Sequence, residues 1–193
     1  MPRPSAVLGW LWIAFVAYWL ILARFNKRAM RSARWSGWGA RLAIIAGVLI
    51  VLRFHRRGVG GLAGSIGRSL AIHPGIASQW TGVGLCVAGF AFAFWARAHL
   101  GRNWGMPMSL RQGHELVTSG PYAYVRHPIY SGIMLAMIGS ALAVGFFWLA
   151  LFVLYFAYFL FSARTEEKMM LAQFPDTYPA YRRRTKMLIP YVL

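Results

Sequence analysis

The stretch GPYAYVRHPIYSG, residues 120–132, sets Arg126 and His127 directly against Pro128 at the head of a charge-free apolar run. A residue before proline is driven out of the helical region, and proline suits the first helical position, where its missing N–H costs nothing. A helix is therefore predicted to start at Pro128, with His127 extended before it. The free N–H groups at that start, the positive end of the helix dipole and the Arg126 guanidinium would together favour an anion such as a carboxylate or phosphate. Plain interfacial anchoring by Arg and Tyr accounts for the same residue types.

Two further elements carry polar chemistry. In GHELVTSGPY, residues 113–122, an extended segment over 115–118 runs into a Gly120-Pro121 turn, which would leave the backbone of Leu116 and Val117 open to a ligand. In RTEEKMM, residues 164–170, Glu166 and Glu167 are adjacent on a helix and point roughly 100° apart, so one is expected to turn inward. A carboxylate there could accept from hydroxyls or an amine, balance a sulfonium cation, or pair with Arg164 or Lys168. Three of the four acids in the chain fall in these elements. The tail FPDTYPAYRRRTKMLIP, residues 174–190, reads as a turn, a short helix bearing Tyr178 and Tyr181, and a basic run. Arg182, Arg183 and Arg184 are expected to meet anionic headgroups, at about 1 kcal/mol each.

These elements must be held by a membrane-embedded scaffold. The 193 residues are 59% hydrophobic and only 13% charged, about half the charge of a soluble domain. The net charge of +17 would suit nucleic acid if it formed one solvated face, but the basic residues cluster between apolar runs, so no nucleic-acid partner is expected. The single cysteine, Cys86, lies in an apolar run; it supplies neither a disulfide framework nor a thiolate metal site, and no metal is expected.

A spanning helix needs about twenty apolar residues. Residues 6–25 supply one, 42–54 the centre of a second, 76–99 a third, and the uncharged 129–163 two more with a turn at Gly145. The fold class is thus an all-α, polytopic membrane protein of about five transmembrane helices, with a cytoplasmic pocket and a C-terminal helical tail. Residues 1–193 form one membrane domain: three spans over 1–100 and a ligand-binding core over 101–193. With the C-terminus cytoplasmic, sixteen of the 21 Lys and Arg lie inside; Arg53, Arg56 and Arg57 strain this topology. Glycine-rich residues 58–67 lack the βαβ context of a dinucleotide turn and read as a loop. Gly132, Ala136 and Ser140 recur every fourth residue, a face on which another helix can approach closely.

The ordered combination of GHELVTSGPYAYVRHPIYSG, a charge-free helical hairpin, TEEKMM and FPDTYPAYRRRTKMLIP resembles the isoprenylcysteine carboxyl methyltransferase family over roughly residues 100–190. Phospholipid N-methyltransferases are distantly similar. The resemblance implies an all-helical membrane enzyme that binds S-adenosyl-L-methionine on the cytoplasmic side, with no Rossmann domain. It implies that His114, Glu115, Leu116 and Val117 line the cofactor with Tyr122 at the turn, and that His127, Pro128, Ile129, Tyr130 and Glu166 hold it. Gly120 and Arg126 match the motif as loop-shaping residues. One helical turn before the first glutamate, prenylcysteine-modifying members carry an arginine that binds the substrate carboxylate; here the position is Ser162, and Arg164 is the nearby cation left for the substrate.

The expected activity is methyl transfer from S-adenosylmethionine to a lipophilic small molecule or lipid, foremost a carboxyl group like that of an isoprenylcysteine, by an integral, multi-pass protein of a bacterial inner membrane surrounded by membrane lipids. A carboxylate acceptor needs no general base, so no catalytic residue is assigned; an amine acceptor would look to Glu167 or Tyr130. A phospholipid amine or small thiol acceptor is the alternative. A non-enzymatic haem carrier is disfavoured because all five histidines lie at span ends or in loops.

Overall fold

The computed structural model describes residues 3–22, 29–32, 75–101, 109–111 and 115–192. The described helices are α1 (Pro4–Leu22), α2 (Ile76–Leu100), α3 (Pro128–Val144), α4 (Phe146–Gln173) and α5 (Tyr178–Arg184), with a 3-10 turn over Gly120–Ala123. Strands β1 (Ala29–Ser32) and β2 (Ser109–Arg111) form a short antiparallel ribbon, an addition to the all-helical expectation. Nothing in AMRS or SLR marks them as strands. The second predicted span at 42–54, the Arg53 to Arg57 cluster and the glycine-rich 58–67 segment lie outside the described residues.

Helices α1, α2 and α4 are long and apolar enough to cross a membrane, and α3 is a shorter apolar helix. Large apolar side chains such as Trp10, Leu20, Val153 and Leu154 are well exposed, as expected where lipid rather than water covers the surface. Helix α3 begins at Pro128 and the α3–α4 hairpin turns on Gly145, both as predicted. Gly145 is the sole residue between the two helices and has φ +123°, a conformation that side-chain-bearing residues rarely adopt.

The closest packing joins α2 to α3. Gly82, Cys86, Gly89 and Ala93 on α2 face Gly132, Ala136, Gly139 and Ala143 on α3. A Cβ placed on Gly89 would lie 2.5 Å from the Gly132 carbonyl oxygen and 2.6 Å from the Ala136 nitrogen, so the two backbones meet without side chains between them. The predicted small-residue face on α3 is this seam, and Cys86 is buried within it. In lipid no hydrophobic driving force separates helix from solvent, so such close packing supplies much of the association.

Helix α1 lies against this pair. Trp12 Nε1 donates to Ser140 Oγ on α3 at 3.0 Å, and Ser140 donates to the Ala136 carbonyl at 2.8 Å. Phe15 stacks on Phe90 of α2 with centroids 4.3 Å apart, and Trp12 stacks on Trp148 of α4 at 5.2 Å. A single hydroxyl and an aromatic cluster thus tie the first helix to the other three.

Gly89→Ala and Gly139→Ala should each lower thermal stability in detergent, by about 1–3 kcal/mol, because the added methyl meets backbone. Gly84→Ala on the same helix, where nothing lies within 4 Å, should be neutral or slightly stabilising. Melting curves of the three variants check this; equal losses would show that the seam is not the tight contact.

Candidate functional site

The end of α2, the start of α3 and the emerging end of α4 come together at one end of the bundle. The 28 residues of α4 make about 42 Å of helix, longer than the roughly 30 Å hydrocarbon core, so Glu166 and Glu167 lie beyond its apolar part. His127 precedes Pro128 with φ −126° and ψ 60°, outside the helical region as expected but short of the extended conformation predicted for it, and among the described residues no side chain caps the first turn of α3.

His127 sits between two carboxylates. Its Nδ1 is 3.3 Å from Glu166 Oε2 and its Nε2 3.7 Å from Glu167 Oε1. The second separation exceeds hydrogen-bond length, and His127 Nε2 is buried with no hydrogen-bond partner among the described residues. The ring stacks in parallel on Tyr130, centroids 5.5 Å apart. Tyr130 in turn donates to Glu166 Oε1 at 2.5 Å, and Ser162 donates to the same oxygen at 3.2 Å. Only one glutamate was expected to turn inward; the imidazole lies in the angle between the two and reaches both.

The glutamates differ in surroundings. Glu167 is 3% exposed, and Arg126 Nε donates to its Oε1 at 2.6 Å while Arg182 Nε lies 3.3 Å from its Oε2. The Arg126 guanidinium also donates to the carbonyls of Arg182 and Thr185. It is therefore committed to the protein and does not join the α3 start in an open anion cradle; as expected from the motif, it shapes the loop. Glu166 keeps 23% of its side chain exposed, which makes it the carboxylate that a ligand can reach.

Burial alone would lower the His127 pKa, but its contacts with Glu166 and Glu167 outweigh that and raise it above the ordinary 6.5. Burial pushes Glu167 up, but His127 and Arg126 outweigh this and hold it below 4.5. Glu167 is thus ion-paired with guanidinium groups, and the Tyr130 proton is directed at Glu166.

The C-terminal segment closes the site from behind. Val125 bridges to Lys186, Arg126 N donates to the Lys186 carbonyl at 2.8 Å, and His127 N donates to the Met187 carbonyl at 3.1 Å. Tyr181 donates to the Tyr122 carbonyl at 2.8 Å, and Leu188 is buried against Tyr130 and Ala163. Gly120, at φ +57°, lets the turn lie directly on the His99 ring, where a Cβ would collide.

Of the residues expected to line the cofactor, His127, Tyr130 and Glu166 are brought into one cluster, with Pro128 and Ile129 buried in the first turn beside them. Val117, Tyr122 and Ile129 pack together in an adjoining one. Leu116 is half-buried, Glu115 is exposed, and among the described residues the backbone of 116–118 makes no hydrogen bond. His114 lies outside the described residues. Arg164 is exposed and, two residues from Glu166, faces another side of α4. Two contributors were not anticipated: Ser162 as a partner of Tyr130 and Glu166, and Arg182 as a partner of Glu167. Ser162 was legible as one turn before Glu166; Arg182 carried no signal beyond charge.

Because the His127 pKa is raised on folding, its charged form adds stability that is complete below pH 6.5 and is lost as pH rises through the folded value. Glu167, lowered, adds stability above pH 4.5 that is lost as pH falls through its folded value. Melting temperature should therefore decline above pH 6.5 in the parent and stay flatter in His127→Gln. Glu167→Ala strands the buried Arg126 guanidinium, while half-exposed Arg182 turns to water, and should cost about 3–5 kcal/mol. A parent profile that matches His127→Gln would exclude the charged imidazole.

Comparison with known proteins fits this geometry. Residues 82–173 match the family model of the isoprenylcysteine carboxyl methyltransferase (ICMT) family, from within α2 to the last residue of α4. The chain is 38% identical over 81 residues to a protein-S-isoprenylcysteine O-methyltransferase of Schizosaccharomyces pombe, covering 41% of this chain and 34% of that protein. It is 36% identical over 97 residues to the cobalt-zinc-cadmium resistance protein CzcN of Cupriavidus metallidurans, covering 48% and 44%. It is 38% identical over 79 residues to methanethiol S-methyltransferase 2 of Bradyrhizobium diazoefficiens, covering 40% and 30%. The chain thus spans about a third to under half the length of these curated relatives. The matched stretch, which takes in most of α2, the His127-Pro128 helix start and both glutamates, is similar to the isoprenylcysteine carboxyl methyltransferase family.

Proposed function

We propose that this chain is an S-adenosylmethionine-dependent membrane methyltransferase whose acceptor is a lipophilic molecule, foremost one with a carboxyl group like that of an isoprenylcysteine. The observation that carries this reading is the convergence of His127, Tyr130, Ser162 and Glu166 at the start of α3. When bound, the cofactor supplies an electrophilic methyl on a cationic sulfur. The residues suit such a group. Glu166 offers a partly exposed carboxylate to a cation, an amine or ribose hydroxyls, and the uncapped first turn of α3 offers N–H groups to a carboxylate. The buried His127 Nε2 has no hydrogen bond among the described residues, and the backbone of Leu116 and Val117 supplies further donors and acceptors.

The acceptor approaches from the lipid between α3 and α4. On the α4 face that leads to Glu166, Tyr158 and Ser162 follow at four-residue intervals, and the Tyr158 hydroxyl is buried with no hydrogen-bond partner among the described residues. In this reading that hydroxyl steadies the polar end of a long apolar molecule. Displacement at a sulfonium depends chiefly on alignment of the two reactants, which a pocket of this kind supplies, and no base is assigned. The charged end of the bundle faces the cytoplasm, with the C-terminus on that side.

A small thiol is the second reading. Ser162 puts a neutral hydroxyl on the face that leads to Glu166, and one relative is a methanethiol S-methyltransferase.

Calorimetric titration of the detergent-solubilised protein with S-adenosylhomocysteine should show binding, weakened about tenfold or more in His127→Ala and in Glu166→Ala, a loss of about 1.4 kcal/mol each. No binding by the parent, or undiminished binding by both variants, overturns the cofactor assignment. With methyl-labelled cofactor and lipid extract, label in an alkali-labile ester supports the carboxyl acceptor; volatile alkali-stable label from added methanethiol supports the thiol.

A further inference from the structure

The C-terminal segment holds a basic cavity that methyl transfer leaves unused. It has a volume of about 340 Å³ and is lined by Arg126, Arg182, Arg183, Arg184, Lys186 and Val192, among others. Arg126 and Arg182 are paired with Glu167. The side chains of Arg183, Arg184 and Lys186 form no ion pair among the described residues, so five cations around one cavity share a single carboxylate. The negative end of the α5 dipole offsets part of that charge but falls off within a turn. The cavity therefore suits an anion of more than one oxygen.

Beside these cations lie exposed apolar groups: Ile189, Tyr191 and Val192, the last two 87% and 72% exposed. A soluble phosphate would leave them in water, whereas a lipid would cover them. The residues just before them, Lys186, Met187 and Leu188, form the strap that grips the site, through the Val125–Lys186 bridge, the bonds from Arg126 N and His127 N, and the Ser131 hydroxyl on the Leu188 carbonyl. Mutual repulsion of the cations works against that grip, and an anion between them relieves it.

We propose that this cavity is a binding site for the phosphate of an anionic phospholipid. Arg183, Arg184 and Lys186 meet the headgroup, Ile189, Tyr191 and Val192 lie along its acyl chains, and the bound lipid holds the strap onto residues 125–131. The methyltransferase is thereby tightened around His127 in a negatively charged membrane.

The test uses the whole chain with phosphatidylglycerol and phosphatidylcholine in equal amounts. Native mass spectrometry should show one phosphatidylglycerol retained per chain, and hydrogen exchange across 125–131 should slow when it is present. The triple variant R183Q/R184Q/K186Q should lose about a hundredfold in retention, at roughly fivefold per cation. Should the triple variant not fold, each single substitution carries the fivefold expectation. Equal retention of the two lipids, undiminished retention by the variants, or the same protection from inorganic phosphate alone overturns the proposal. S-adenosylhomocysteine binding by the parent chain, measured alongside without phosphatidylglycerol, reports separately on the methyltransferase reading.

Discussion

A carboxylate that is almost fully buried at a membrane boundary must be neutralised where it stands, and Glu167 imposes that requirement on three separate stretches of chain. Arg126 comes to it from the loop before α3, Arg182 from the tail helix, and His127 from the helix start. None of these contacts is local in sequence, so each fixes where a whole segment lies. The geometry around His127 and Glu166 follows from this arrangement, because Glu167 stops α4 from rotating and so sets the direction of its neighbour.

The contribution of such a group is mainly one of specification. Replacing a buried ion cluster by apolar residues is often neutral in stability, whereas removing one partner is costly. Here the cluster settles which loop faces which helix, and leaves Glu166 with part of its side chain toward solvent. The apolar seam of α2 and α3 supplies the complementary constraint: two backbones in direct contact admit little sliding, so the helix start at Pro128 is held from one side by the seam and from the other by the tail.

Much of this was legible in the sequence because it rests on backbone chemistry. The start of α3 follows from proline's lack of an N–H, the turn at Gly145 from a glycine within an uncharged run, and the seam from small residues at four-residue spacing. The roles of the two glutamates were not legible. Helical periodicity separates adjacent side chains by 100°, yet it cannot show that one imidazole would lie in the angle between them. Nor could it show that Arg126, which looked like part of an anion cradle, would be consumed by Glu167. Pairings across 41 and more residues depend on how the tail folds back, and that path is set by backbone bonds to 125–127 that carry no residue-type signal.

The one-residue connection at Gly145 makes the hairpin a ruler. Its arms ascend from His127 and return to Glu166 across 39 positions, with no slack at the bend. Inserting a residue in either arm would turn everything beyond it by about 100° and shift it by 1.5 Å, carrying both carboxylates off the imidazole. The count between histidine and glutamate is therefore itself a structural parameter. The length of the two arms is thus fixed by the site, while their composition is bound where the first arm meets α2, at Gly132, Ala136 and Gly139.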